Sequence, residues 1–380
     1  MQFELSEEQN AYVASAREFA QAEFRPNAAH WDESSLFPKS ALKAAGDLGF
    51  MGMYTPEEAG GLGMSRLDAS LIVEELARGC TTTAAFLTIH NMATAMIGKY
   101  CQQSVVDSWC PSLVAGETLA SYCLTEPGAG SDAASLRTTA TREGDSYRLN
   151  GSKVFISGAG DTDVLVVMAR TGDSGARGIT AFLVPADLEG ITYGKKESKM
   201  GWNAQPTRQI SFDDVHVSAA NRLGEEGQGF SIAMEGLDGG RINIATCSVG
   251  TAQQAIVDAT ALKEAAMKNA EAAIIEKYSQ EIKETVDTML SETEADYAAL
   301  DEPEFNRDPE AEETIGSGVV SLDLTELTKM ARESLGEEVD FAEMLTHEDL
   351  AEDIEADATS SETTGEVGNI DEEIDLQNLF

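Results

Sequence analysis

Residues 122–132, YCLTEPGAGSD, gather hydroxyl groups and flexible backbone without a single basic side chain. A short β-prone run ends at Thr125, and a proline and two glycines then lead to Ser131. Backbone N–H groups around small residues can bind a phosphate or a ring oxygen without a cation. The stretch therefore predicts a neutral cradle for a polar ligand. A proline-glycine turn with local side-chain capping fits the same eleven residues equally well.

The stretch matches neither of the common phosphate-binding glycine motifs. A dinucleotide fingerprint needs three spaced glycines between a strand and a helix, whereas here only Gly128 and Gly130 are close together. A P-loop needs a Gly-Lys-Ser/Thr sequence, which this stretch lacks. Four histidines and five cysteines are scattered along the chain without metal-ligand or C-x-x-C spacing. We therefore predict no metal site, and each histidine is expected to be structural.

Charge is distributed unevenly along the 380 residues. Residues 261–380 carry 35 acidic and 7 basic side chains, so that this third contributes −28 to the formal net charge of −41. Neither part has the basic face that nucleic-acid binding requires. No window approaches the roughly 20 apolar residues of a membrane span. The amino terminus has no signal-peptide pattern, and a cytoplasmic location is expected.

The predicted secondary structure around this stretch changes along the chain from helices to strands and back to helices. This order predicts an α+β fold. Residues 1–116 read as an amino-terminal helical domain, in which Ser6 and Ser65 are predicted helix caps and residues 81–100 form a buried apolar helix. Residues 117–225 read as a β domain, a small barrel or sandwich, with a hairpin predicted at Asn150-Gly151. Residues 226–260 return to helical periodicity and begin a second helical domain.

Residues 261–380 form an acidic tail of different character. An amphipathic helix is predicted over residues 262–289, an acidic linker over residues 291–318 and a shorter helix over residues 324–335. The last residues combine high negative charge with few apolar side chains, which predicts disorder.

Six motifs in order resemble the acyl-CoA dehydrogenase flavoproteins, from the first helix to about residue 260. They are PEEAGGLGM, YCLTEPGAGSDAASLRTTA, YRLNGSKVFISGAG, KKESKMGWNAQPTRQISFDDVHV, GEEGQGF and GLDGGRINIA. The resemblance implies a bound FAD, an acyl-CoA substrate and oxidation to the α,β-enoyl-CoA. It implies a short branched substrate such as isobutyryl-CoA, from valine breakdown, and an electron-transfer flavoprotein as partner.

The resemblance also implies which residues contact the two ligands. The flavin would be bound by two segments of the β domain, namely Tyr122, Cys123, Leu124, Thr125, Glu126, Gly130, Ser131, Phe155, Ile156 and Ser157. The CoA moiety would be contacted by Ser131, Asp238, Gly239, Gly240 and Arg241. The alternative for Asp238 and Arg241, given second place to the CoA contact, is a helix-start cap and a surface charge.

Two motifs of the family are not found after residue 260. One is R-x-x-F-G, whose arginine reaches the FAD pyrophosphate, and the other is E-G-T/S-N, whose glutamate takes the α-proton. Some relatives place the base just before the position of Arg241, where this chain has Gly240. The sequence thus identifies no catalytic base, and we do not expect residues 261–380 to build the family's homotetramer.

Three hypotheses follow from the sequence. The chain is an acyl-CoA dehydrogenase, or it is a flavin- or CoA-binding protein without dehydrogenation. In the third hypothesis the acidic tail is an interaction or scaffold segment that has been joined to enzyme-derived sequence.

Overall fold

The structure, a computed structural model, describes the backbone of residues 4–298. The predicted helix at 324–335, the disordered end and most of the predicted acidic linker lie outside the described residues. The first part of the chain is helical, as predicted. Its helices are α1 (Glu7–Phe19), α2 (Ala28–Glu33), α3 (Lys39–Asp47), α4 (Arg66–Gly79), α5 (Thr81–Tyr100) and α6 (Gln103–Val114).

Local sequence signals place the ends of two of these helices. Ser6 caps α1, where its hydroxyl accepts from the Gln9 backbone N–H while the Gln9 side chain accepts from the Ser6 N–H. Ser65 caps α4 by accepting from the N–H of Asp68. Both predicted caps are confirmed.

Helix α5 is the buried centre of the helical part. Most of its residues are buried, as its apolar sequence predicts. Its fully buried His90 accepts a hydrogen bond from the Ala120 N–H at Nδ1 (3.1 Å), and Nε2 lies 3.0 Å from the Leu113 carbonyl. Since Nδ1 is the acceptor, the proton resides on Nε2, which donates to Leu113. The neutral imidazole thus joins α5 to the end of α6 and to the strand that follows.

The middle of the chain forms one mixed β-sheet. Its strands are β1 (Ala120–Cys123), β2 (Thr139–Glu143), β3 (Ser146–Ser157), β4 (Val164–Arg170), β5 (Ile179–Pro185), β6 (Ile191–Tyr193), β7 (Thr207–Ser218) and β8 (Arg222–Leu223). The strand order is β6-β7-β3-β2-β4-β5-β8, and β1 pairs with β4 in parallel. The predicted β part is confirmed. One face of the sheet packs into a core with α5 and α6, and the other face has a core of its own.

The predicted hairpin at Asn150-Gly151 is wrong. Strand β3 runs through both residues, which lie at a shift in its register with β7. The turn between β2 and β3 instead contains Gly144, whose φ of 60° supplies the left-handed conformation. Gly151 is required for a different reason: a Cβ there would lie 2.6 Å from Thr138 Oγ1. The dipeptide therefore marks a bulge and a close packing contact.

A long helix, α7 (Gly229–Ala298), follows the sheet. It includes the predicted helix at 262–289, but it also continues to Ala298, so the linker does not begin at residue 291 as predicted. No proline or glycine interrupts residues 291–298; the next proline is Pro303. Near its start α7 packs closely on α4, because a Cβ on Gly250 would lie 2.2 Å from the Glu74 carbonyl oxygen. None of the helices within the described residues has both the length and the apolarity needed to cross a membrane.

The buried His90 predicts a specific loss of stability in acid. Burial lowers its pKa to about 4, whereas an unfolded histidine titrates near pH ~6.5. The unfolded chain binds the extra proton between these values, so the free energy of unfolding falls as the pH drops from about 6.5 towards 4, by about 3 kcal/mol when complete. Denaturant unfolding at pH 7 and pH 4.5 measures this loss. His90→Gln should be less stable at pH 7 and should lose less on acidification; an equal loss in both proteins would contradict the assignment.

Candidate functional site

A buried ion pair attaches the glycine-containing loop to the sheet. Lys153 of β3 is fully buried, and its Nζ donates to Glu126 Oε1 (2.7 Å) and to the carbonyl of Leu124 (3.1 Å). The Glu126 carboxylate also accepts from the backbone N–H groups of Arg137 (2.6 Å) and Thr138 (2.9 Å). One carboxylate therefore joins the loop, β3 and the chain entering β2.

The surroundings of Glu126 keep it ionised. Burial by itself raises the pKa of the carboxyl group, but the Lys153 charge and the hydrogen bonds to Lys153, Thr138 and Arg137 outweigh burial, so that the pKa is lowered. Burial acts in the opposite sense on the ammonium and lowers the pKa of Lys153, against the attraction of Glu126. The attraction between the two charges thus opposes the cost of removing them from water, and each charge is stabilised by the other.

Backbone hydrogen bonds complete the attachment of the loop. The Val154 N–H donates to the Thr125 carbonyl at 2.9 Å, and Glu126 and Ala129 exchange two backbone hydrogen bonds across the tight turn. Apart from its own neighbours in the chain, no atom of the described residues lies within 4 Å of a Cβ built on Gly130. The loop is therefore held on its sheet side and open on the other side.

The end of β3 presents an aromatic ring in an unusual conformation. Phe155 has a φ of 57°, which lies in the left-handed region that non-glycine residues seldom adopt. It lies at a second shift in the register between β3 and β7. Its side chain is 66% exposed although both neighbours in the strand are at least partly buried. Strained backbone persists where surrounding structure enforces it, and often at binding sites.

Ser157 lies two residues further on, beside a buried amide. Its hydroxyl accepts a 2.5 Å hydrogen bond from Gln205 Nε2, and its carbonyl accepts from the Ser121 hydroxyl at 2.6 Å. The position of Ser157 is thus fixed from the side of β1 and from the segment before β7.

A cavity of about 740 Å³ opens between this loop, the end of β3, α5 and the start of α7. It is lined by Thr88, Ile89, Met92, Tyr122, Leu124, Thr125, Gly130, Ser131, Asp132, Ala133, Ala134, Phe155, Ile156, Ser157, Phe230, Met234, Leu237, Gly240, Arg241 and Ile244. The polar groups are mainly neutral hydroxyls at one end, and the walls from the two helices are mainly apolar. Such a lining suits a ligand with a large apolar body and a few fixed polar atoms.

Ten of the residues predicted from the sequence meet at this cavity. They are Tyr122, Leu124, Thr125, Gly130, Ser131, Phe155, Ile156, Ser157, Gly240 and Arg241. The structure thereby joins segments that are more than a hundred residues apart in sequence, and the hydroxyls of Thr125, Ser131 and Ser157 are brought to one cavity.

Four predicted residues do not line the cavity. Cys123 is fully buried in the core on the opposite face of the sheet, because successive side chains of a strand alternate. Glu126 is turned inward to Lys153. Asp238 forms an exposed ion pair with Arg241 three residues along α7, and Gly239 faces Arg66, whose Cζ would lie 2.3 Å from an added Cβ.

Apart from Gly240 and Arg241, the residues of the helical walls were not predicted from sequence motifs. On α7, the cavity residues Phe230, Met234, Leu237 and Ile244 follow helical spacing, which reads equally well as an ordinary core face. On α5, Thr88, Ile89 and Met92 lie in an apolar run that shows no period. The anchoring role of Lys153 also carried no sequence signal.

Asp132 is the single acidic side chain among the described residues that line the cavity. It is exposed, and its carboxylate accepts a short hydrogen bond from the Ser135 hydroxyl. Gly240 occupies the opposite, helical wall without a side chain. The described part of the cavity therefore offers no buried carboxylate facing its apolar region.

Sequence profiles of two domains match the chain. The acyl-CoA dehydrogenase N-terminal domain matches residues 6–117, and the acyl-CoA dehydrogenase middle domain matches residues 121–215. The short-chain specific acyl-CoA dehydrogenase of Clostridium acetobutylicum is 39% identical over 263 residues, which are 69% of each chain. The chain belongs to the acyl-CoA dehydrogenase family.

Two further comparisons agree with this membership. The mitochondrial isobutyryl-CoA dehydrogenase of Bos taurus is 52% identical over 253 residues, 67% of this chain and 61% of the relative. The solved structure of butyryl-CoA dehydrogenase from Megasphaera elsdenii superposes with a TM-score of 0.65 at 38% identity, over 68% of this chain and 70% of the other. The chain thus spans about three fifths of the length of the isobutyryl-CoA dehydrogenase that it matches.

Removal of one charge of the buried pair should be more harmful than removal of both. In Lys153→Met the carboxylate of Glu126 is left buried without its counter-charge, and we expect a loss of about 3–5 kcal/mol in the free energy of unfolding. The double variant Glu126→Gln/Lys153→Met should recover most of this loss, because neither charge remains. Denaturant unfolding of the single and double variants measures the difference. A double variant no more stable than Lys153→Met would show that the pair is not coupled.

Proposed function

We propose that this chain binds FAD and an acyl-CoA thioester, as a member of the acyl-CoA dehydrogenase family whose substrate is a short branched acyl-CoA resembling isobutyryl-CoA. The observation that carries the proposal is the single cavity in which the hydroxyl-bearing loop, the end of β3 and Arg241 meet. The 52% identity to an isobutyryl-CoA dehydrogenase supports the choice of substrate.

The residues present fit a flavin. Phe155 exposes an aromatic face to the cavity from a backbone conformation that a bound ring would help to maintain. Thr125 and Ser157 supply neutral hydroxyl groups next to it, and the backbone at Gly130 has open space in front of it. A ring system with polar edges and apolar faces would lie against Phe155, with its edge atoms towards these hydroxyls. FAD, when bound, supplies the acceptor for the hydride that leaves the acyl chain.

The opposite walls fit the thioester. Arg241 lies at the cavity and is the charged group of α7 best placed for a CoA phosphate, although in the structure it pairs with Asp238. Met92, Phe230 and Leu237 form an apolar region that excludes water from a short acyl chain. By resemblance to the family, electrons leave to an electron-transfer flavoprotein, which we propose as the partner.

One observation favours an alternative function, in which the chain binds FAD and an acyl-CoA but does not dehydrogenate the thioester. Removal of a proton α to a thioester requires a base within hydrogen-bond reach of that carbon. Among the described residues the cavity has only Asp132 as a carboxylate, and Asp132 is exposed. We therefore expect little dehydrogenation of isobutyryl-CoA by this chain, even with FAD added.

A carboxylate placed at residue 240 should restore part of the activity. Gly240 lines the cavity. Among the described residues outside its own helical turn, a Cβ built there has only Met92 Sδ within 4 Å, at 3.6 Å, so a side chain is accommodated. We expect Gly240→Glu to raise enoyl-CoA formation, measured with FAD and a dye acceptor, by about 10²–10⁴-fold. Gly240→Gln, of the same size without a titratable group, should give no increase.

The outcomes separate the two candidate functions. Rapid turnover by the unmodified chain would show that a base lies outside the described part of the cavity. Equal activities of Gly240→Glu and Gly240→Gln, both at background, would contradict a correctly assembled substrate site.

Retention of FAD through purification should be partial. The loop and the end of β3 offer contacts at one end of the flavin, but the family arginine for the pyrophosphate has no counterpart found after residue 260. We expect less than one flavin per chain from the visible absorbance of the purified protein, and an increase when FAD is added. Complete absence of flavin after reconstitution would contradict the proposed cofactor.

A further inference from the structure

The hydroxyl of Ser157 has a buried neighbour outside the cavity. Gln205 lies in the segment that leads into β7, and only 4% of its surface is exposed. Its Nε2 donates to Ser157 Oγ, and Thr207, two residues further on, pairs with Ser157 in the register between β3 and β7. Ser157 is one of the described residues that line the cavity, and Gln205 is not. Gln205 can therefore affect a ligand in the cavity only through Ser157.

The amide of Gln205 limits where the hydroxyl proton of Ser157 can point. A serine hydroxyl has one proton to donate and two lone pairs that accept. Since the N–H of Gln205 points at one of these lone pairs, the proton of Ser157 must point in another direction. The side chain of Ser157 lines the cavity, so the proton is available there to an acceptor atom of a ligand. Without the amide, the hydroxyl would be free to rotate.

The segment that carries Gln205 is itself held firmly. The buried part of this attachment is Lys199, whose Nζ donates to the Gln205 carbonyl at 2.6 Å and to Thr207 Oγ1 at 3.1 Å. On the other side, the carboxylate of Asp32 accepts from the backbone N–H of Asn203 at 2.7 Å and from its side-chain amide at 3.2 Å. The position of Gln205 relative to the end of β3 is thus fixed by contacts that do not involve the cavity.

The other end of the Gln205 amide argues against a purely structural role. Its Oε1 is buried and has no hydrogen-bond partner among the described residues. An unpaired buried carbonyl oxygen is unfavourable, and an apolar side chain of the same size would avoid this cost. Stability alone therefore does not account for a glutamine at this position, whereas the orientation of the Ser157 hydroxyl does.

We propose that Gln205 is a positioning residue of the flavin site, which acts through Ser157 by directing the hydroxyl proton into the cavity. This inference rests on the proposed function, since it assumes that the acceptor is a polar edge atom of FAD. A donor that is already oriented loses less rotational freedom when the ligand binds, so that the orientation contributes to affinity.

Replacement of Gln205 by an apolar residue should separate stability from FAD affinity. Gln205→Met, unbranched and of similar size, should be at least as stable in denaturant unfolding, because the unpaired carbonyl is removed. Its dissociation constant for FAD, from flavin fluorescence quenching, should rise about three- to tenfold, the range expected for one hydrogen bond. Gln205→Leu serves if Gln205→Met does not fold. Gln209→Met is the matched control: Gln209 is exposed on β7, bonds to Ser211 and should bind FAD normally when replaced.

Two further variants test the route through the hydroxyl and its direction. In a Ser157→Ala background, which should itself bind FAD more weakly, Gln205→Met should cause no further loss, because the group that it orients is gone. In Gln205→Glu, measured at pH 8, the carboxylate accepts hydrogen bonds and cannot donate one. It should draw the Ser157 proton away from the cavity and weaken FAD binding at least as much as Gln205→Met.

The outcomes distinguish this inference from the proposed function. Equal FAD affinity of the unmodified chain and Gln205→Met would overturn the role of Gln205 and leave the proposed function intact. The same loss with and without the Ser157 hydroxyl, or FAD binding by Gln205→Glu as tight as that of the unmodified chain, would also overturn it. Failure of the unmodified chain to bind FAD would overturn the proposed function, and the inference with it.

Discussion

The buried ion pair between Glu126 and Lys153 is the constraint on which the site depends. A carboxylate and an ammonium removed from water are costly unless their geometry and hydrogen bonds compensate. Here the carboxylate has three donors and the ammonium has two oxygen acceptors, which belong to the loop, to β3 and to the chain entering β2. The loop that carries Thr125 and Ser131 can therefore keep an open outer face, because its inner face is fully bonded.

Helix α5 connects this sheet domain to both helical parts through three consecutive residues. His90 reaches the start of β1 and the end of α6. Asn91 accepts from the Met53 N–H at 2.7 Å and donates to the Phe50 carbonyl at 2.8 Å. Met92 meets α7. Successive residues of a helix point about 100° apart, so one buried helix fixes three neighbours, and the cavity lies where these attachments converge.

The features of the fold and the site that could be predicted from the sequence are those determined by residues close together in the chain. The caps of α1 and α4 were predictable, because a hydroxyl and the amide three residues later are determined within one turn. The loop at 122–131, whose Thr125 and Ser131 line the cavity, could be singled out from its local composition and its resemblance to a family. Cys123 was predicted to contact the flavin but faces the opposite core, because the sequence did not indicate which face of β1 would line the cavity.

Long-range causes were not visible in the sequence. Asn150-Gly151 was read as a turn, although its glycine is required by contact with Thr138, in the chain entering β2. Lys153 resembles any lysine on an amphipathic strand until Glu126 is placed beside it. Met92 is one of many apolar residues in α5, and its position between Gly236 and Gly240 depends on how closely α7 packs. Each of these features depends on a partner distant in the chain.

The affinity for FAD of the Lys153 variants tests most directly whether the buried pair supports the binding site. Flavin fluorescence quenching gives the dissociation constant for the unmodified chain, for Lys153→Met and for Glu126→Gln/Lys153→Met, under conditions where all three are folded. The account predicts that Lys153→Met binds FAD at least about tenfold more weakly, equivalent to about 1.4 kcal/mol, and that the double variant recovers part of the loss. A folded Lys153→Met protein that binds FAD as tightly as the unmodified chain would contradict it.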